Sequence, residues 1–249
     1  MVLISLFLEI LLILIPIFFT ISVIYSAAGF GGGSSYLAIL ALFPLEFTEV
    51  RMLALLCNIV VVSGSVYVFY KHGFLNFRKV LPLILLSVPF AYLGGRLEIN
   101  QEIFFIVLGI TLLIAGILML VNNTEKTVKL PLYTNGIIGG GIGFLSGLVG
   151  IGGGIFLSPL LYLSRWAEAK VIATTTACFI LVNSISGLIG QISANGFNLD
   201  FKLTTLLLIT VLIGGQIGSR LTATKINPKI VRQITAFLIL FVALKILFY

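Results

Sequence analysis

Long apolar stretches broken by brief polar punctuation run from one end of this chain to the other. They cover about residues 2–27, 34–43, 50–70, 79–97 and 102–121. After the polar interval Asn122–Lys129 they resume at about 131–149, 155–164, 169–190, 201–221 and 229–248. Roughly 20 consecutive apolar residues cross a bilayer as a helix, and most of these stretches reach that length. Two of them, 34–43 and 155–164, reach about half of it. The order long, short, long, long, long is written twice. The pattern predicts an all-α, polytopic integral membrane protein.

Landmarks inside the stretches repeat with the pattern. Gly29-Phe30-Gly31-Gly32-Gly33 answers Gly150-Ile151-Gly152-Gly153-Gly154, 121 residues later, and Cys57 answers Cys178 at the same offset. Glu49-Val50-Arg51 answers Glu168-Ala169-Lys170, Gly73-Phe74 answers Gly196-Phe197, and Gly94-Gly95-Arg96 answers Gly218-Ser219-Arg220. We therefore expect a first transmembrane repeat at 1–121, a cytoplasmic linker at 122–130 and a second repeat at 131–249, joined in one integrated membrane domain.

Composition agrees with the pattern. Hydrophobic residues make up 59% of the chain and charged residues 9%, whereas soluble domains carry about 25% charged residues. The net charge of +7 sits in short loops between apolar stretches, which points to membrane orientation rather than to nucleic acid. The first stretch lacks a preceding Lys or Arg and is long for a signal-peptide core, so 2–27 reads as a retained helix.

Loop charge orients the halves. With the Lys71, Arg78 and Lys79 loop placed in the cytoplasm, each long-plus-short pair is taken to cross an even number of times. The inside then also holds Lys126, Lys129, Arg165, Lys170, Arg220, Lys225, Lys229 and Arg232, and the outside holds Arg51, Arg96, Lys202 and Lys245. Such a bias sets orientation. It puts both termini outside, in the extracellular or periplasmic space, and makes the halves inverted-topology repeats. Transporters with inverted repeats place their sites at matched interruptions of the two halves.

The glycine segments are such interruptions. Glycine is unfavourable inside a helix, and three in a row surround a helix rather than lining one packing face. Each segment is expected to break a long helix, as a Gly-interrupted helix or re-entrant hairpin, and to start a short one at Ser34 or Ile155. A helix start presents unpaired N–H groups and a partial positive charge, so Gly31, Gly32, Gly33, Ser34 and Ser35 with Gly152, Gly153 and Gly154 suit an anion. Ser34 and Ser35 face Ile155 and Phe156 in the other copy, so the first copy is expected to make more of the polar contacts. The alternative for the glycines is close helix packing through small residues.

Polar residues inside apolar stretches are the other candidates. Asn58, the run Thr174, Thr175 and Thr176, and Asn183 suit substrate binding or interhelical hydrogen bonds. Charge at depth is nearly absent by this reading, Glu9 being the one acid with long apolar flanks on both sides. Glu9 is a candidate for proton coupling or a group reaching water in the outer half of its span. Cys57 and Cys178 read as packing residues, with no nearby group to activate a thiol. Trp166 reads as an interfacial anchor. There is one histidine and no CxxC, so no metal site is expected. No P-loop or catalytic constellation is present, so the chain is read as no enzyme, without a cofactor.

As a set, these motifs resemble the sulfite exporter TauE/SafE family, also called the toluene-sulfonate uptake permease group. The resemblance rests on Gly29–Gly33, Gly150–Gly154, Ala169-Lys170-Val171-Ile172-Ala173-Thr174-Thr175, Ser186-Gly187, the Gly196–Asp200 turn and Gly214…Gly218-Ser219-Arg220. It implies transport of sulfur-containing anions such as sulfite and sulfonates across the cytoplasmic membrane. The expected function is thus a secondary transporter of a small anion working by alternating access, with a passive anion channel as the alternative. The expected partners are a small anionic substrate and the lipid bilayer, with no nucleic acid; a homo-oligomer stays open.

Overall fold

The computed structural model describes residues 2–97, 100–121, 132–164 and 166–224, together with single positions between 233 and 247. The described residues form helices only: α1 Val2–Ala27, α2 Gly33–Leu40, α3 Phe47–Lys71, α4 Phe77–Arg96, α5 Gln101–Val121, α6 Leu132–Val149, α7 Gly154–Leu163, α8 Ala169–Asn195 and α9 Phe201–Thr224. The linker 122–130 and most of the last apolar stretch lie outside the described residues.

Among the described residues, four helices are long and apolar enough to cross a membrane: Phe47–Lys71, Phe77–Arg96, Lys170–Asn195 and Phe201–Leu221. Bulky apolar side chains stand exposed along α4 and α9, including Leu81, Leu85, Phe90, Ile209 and Ile213. A hydrocarbon environment removes any cost of exposing them. At 1.5 Å per residue α2 spans only about 12 Å and α7 about 15 Å, against about 30 Å of bilayer core. Neither could cross by itself.

Both glycine segments reverse the chain. Gly29 and Gly32 have φ of 80° and 89°, and Gly150, Gly152 and Gly153 have 78°, 75° and 77°. These left-handed conformations strain any residue with a Cβ. The short helices start at Gly33 and Gly154, one residue before the expected points. After the first turn the ring of Tyr36 stacks on Phe18 at 4.6 Å, and the Tyr25 and Ser35 hydroxyls are 2.7 Å apart. After the second turn, a Cβ on Gly153 would lie 3.0 Å from Ser146 and 3.1 Å from Ile142. Hence α2 folds back beside α1, and α7 beside α6.

Helices α3 and α8 pack antiparallel through the centre. Leu55 reaches the Gly187 position at 4.0 Å. The Asp200 backbone N–H, just past α8, donates to Glu49 Oε1 near the start of α3 at 3.3 Å. Near the end of α3, Tyr67 and Tyr70 share a groove with Cys178 and Leu181. Cationic residues sort accordingly. Lys79 lies over Trp166 and Lys170 over Phe74 at the end where α3 finishes.

Small residues set the closest helix contacts. A Cβ on Gly139, Gly143 or Gly147 of α6 would collide with the carbonyls of Leu83, Ser87 and Ala91 on α4. Gly214 and Gly218 of α9 meet Ser22 and Val23 of α1 in the same way. The four-residue spacing of these positions was visible in the sequence. The packing motif is therefore found on the helix bodies as well as near the glycine turns. Trp166 is not a bilayer-facing anchor: it is buried among Leu83, Leu157, Leu161 and Phe179.

Candidate functional site

The two glycine turns meet on one side chain. Asn58 lies fully buried in the middle of α3. Its Oδ1 accepts the Gly33 N–H, the first of α2, at 2.9 Å. The Gly33 N–H must face an oxygen, which leaves the Asn58 amide nitrogen directed elsewhere. A Cβ on Gly152 would stand 3.0 Å from that nitrogen. Cβ atoms on Gly31 and Gly33 would collide with the same amide. One asparagine is thus wedged between both turns, and the missing glycine side chains make the room.

Around it stand buried polar atoms without a protein partner. They include Asn58 Nδ2, Ser34 Oγ, Ser146 Oγ, Thr176 Oγ1 and Ser184 Oγ. Ser184 Oγ lies 2.6 Å from a Cβ built on Gly152, and Thr176 Cγ2 lies 3.0 Å from one on Gly154. Buried polar groups are nearly always satisfied, so a cluster of open ones at the meeting point of two turns is a place where a polar ligand gains hydrogen bonds.

The other sequence candidates take different positions. Ser35 is used by Tyr25. Thr174 donates to the Lys170 carbonyl of its own helix, and Thr175 is buried. The member of that threonine run beside a glycine turn is Thr176. Asn183 donates to the Phe179 carbonyl one turn back. The Glu9 side chain lies outside the described residues. Cys57 is fully buried. Cys178 lines the apolar groove, about 490 Å³ in volume, at the far end of α3.

Sequence reasoning missed one residue. Arg51 was assigned to an outside loop, and charge at depth was expected to be nearly absent. The structure puts Arg51 in the second turn of α3, 1% exposed. Its Nη2 donates to the Gly147 carbonyl near the end of α6 at 3.1 Å, its Nε has no partner, and its guanidinium lies 5.7 Å from the Phe47 ring centre. The signal was small: the apolar stretch begins at Val50, so Arg51 already lies inside it.

A model of the sulfite exporter TauE/SafE family matches residues 14–246. The chain belongs to that family. It is a multi-pass membrane transporter, and its relatives are named accordingly. A "probable membrane transporter protein" of Sinorhizobium fredii is 32% identical over 92% of this chain and 95% of its own length. Another "probable membrane transporter protein", of Methanocaldococcus jannaschii, is 27% identical over 91% of each. No solved structure matches the chain significantly.

Proposed function

We propose that this TauE/SafE member is a secondary transporter of a small anion, a sulfur oxyanion or organosulfonate, and that it works by alternating access. The observation that carries the reading is the meeting of both glycine turns on Asn58, among buried polar atoms without partners. Donors dominate there: an amide NH₂, several hydroxyls and the first-turn N–H groups of α7 and, beyond Gly33, of α2. Helix starts also bring a partial positive charge. Sulfur comes from the family name alone.

Halves 1–121 and 131–249 act as inverted repeats in this reading. The antiparallel α3 and α8, and two helix reversals at corresponding glycines, support it. One hairpin enters from the side where α3 begins, the other from the side where α8 begins. Their tips form a thin barrier, so rocking one hairpin against the other exposes the tips to one side at a time. Loop charge then places the α3 start outside, with both termini.

The test is flux in proteoliposomes against sulfite, sulfate, thiosulfate, sulfoacetate and chloride. Saturable uptake accelerated by anion preloaded inside is the expected result for at least one sulfur anion. Linear flux without such counterflow makes the protein a passive channel. No movement of any of the five removes the anion reading.

A further inference from the structure

Arg51 and Asn58 are seven residues apart on α3, which puts them on the same helix face about 10 Å apart along the axis. Both face the second hairpin: Asn58 borders Gly152, and Arg51 borders Gly150, where a Cβ would meet its Cβ, Cγ and Nε at 3.4–3.6 Å. Arg51 is almost fully enclosed, and no carboxylate among the described residues pairs with it. A buried charge without a counter-ion costs several kcal/mol, and ionisable groups at membrane depth are rarely structural alone.

Its hydrogen bonding is half complete. Nε and Nη2 form one edge of the guanidinium, the edge that grips two oxygens of a carboxylate, phosphate or sulfonate side by side. Here Nη2 rests on the Gly147 carbonyl and Nε rests on nothing. The matching place on the first hairpin has no such group, since Gly29 borders Ala173. Gln191, buried with both amide atoms unpartnered, lies one turn beyond Leu188, which packs on Met52 and Leu55 of α3.

We infer that Arg51 is a second anion station, on the α3-start side of the glycine tips. It recognises an oxyanion with two oxygens on one face, and the Gly147 carbonyl holds its place when no anion is bound. This inference rests on the anion reading above. The plain alternative is that Arg51 caps the end of α6, where carbonyls and the helix dipole favour any cation.

The experiment measures half-saturation for sulfite and sulfoacetate in proteoliposomes, with melting temperature in detergent, for the wild type, Arg51→Gln and Arg51→Lys. Loss of a charge-assisted two-point contact predicts a rise of ~10-fold or more for Arg51→Gln. Arg51→Lys keeps the cation and the cap but loses the planar fork, so its half-saturation should rise severalfold with melting unchanged. If Arg51→Gln does not fold, the lysine variant decides alone. A lysine variant with wild-type half-saturation, or a folded glutamine variant with it, makes Arg51 a cap and overturns the inference while leaving the anion reading intact. A wild type that moves neither anion overturns both.

Discussion

The first hairpin turns on Gly29 and Gly32, the second on Gly150, Gly152 and Gly153; Gly29 and Gly150 nearly share a φ, at 80° and 78°, whereas Gly152 has a positive φ that its counterpart Gly31 lacks. Their surroundings differ. The first is closed by its own aromatic packing, Tyr36 on Phe18 and Tyr25 on Ser35, and by Asn58 holding the Gly33 N–H. The second has Arg51 against Gly150 at its tip and, around its turn, hydroxyls from α6 and α8 that have no partner. The expectation from Ser34 and Ser35 was that the first copy makes more polar contacts. Ser35 is instead spent within the first hairpin, while Ser184, Thr176 and Ser146 gather at the second. A positive φ ties both turns to glycine, while the neighbouring side chains differ. The first hairpin reads as the better braced, and the second as the one with open chemistry.

The sharpest way to break this comparison is at the residue both hairpins share. Asn58→Asp keeps an acceptor for the Gly33 N–H but replaces the NH₂ facing Gly152 with a second acceptor oxygen and a negative charge. Anion exchange should fall ~100-fold, equal to about 2.7 kcal/mol, with the protein still monodisperse on gel filtration. An Asn58→Asp protein that transports at the wild-type rate would show that the turns do not meet around an anion.

A matched pair of alanines sets bracing against openness. Gly29→Ala and Gly150→Ala face the same left-handed strain of about 1–2 kcal/mol. At Gly29 the new methyl meets the Ala173 backbone oxygen at 2.8 Å, whereas at Gly150 it meets the flexible Arg51 side chain at 3.4 Å. Gly29→Ala should therefore lose a further ~1–3 kcal/mol from overpacking, read as the lower melting temperature. Gly150→Ala should be the milder change in stability. Equal melting would mean that the two turns are equally braced.

The smallest expected effects belong to the open hydroxyls. Ser34→Ala and Ser184→Ala remove groups with no protein partner, so no buried acceptor is orphaned and stability should change by less than about 1 kcal/mol. Transport half-saturation should rise about threefold for Ser184→Ala if its hydroxyl meets substrate, the scale of one neutral hydrogen bond. A larger effect at Ser34 would reverse the ranking of the two hairpins.

Much of this architecture was legible along the chain, because it rests on local physics. Apolar length predicts a membrane helix, and α1 and α5 fall almost where the apolar stretches do. Glycine runs interrupt helices, and both interruptions are present. Asn58 stood out because an amide two turns inside an apolar stretch needs a partner, and the structure supplies the Gly33 N–H. What no local pattern could hold is which distant side chains share a space. The antiparallel pairing of α3 and α8 brings Ser184 to Gly152, and the packing of α6 brings Gly147 to Arg51, 96 residues earlier in the chain. Arg51 became a candidate only there. A charge at the edge of an apolar stretch looks the same in sequence whether it reaches water or turns inward. The neighbours that decide between these come from other helices, and their placement is a property of the whole packed bundle.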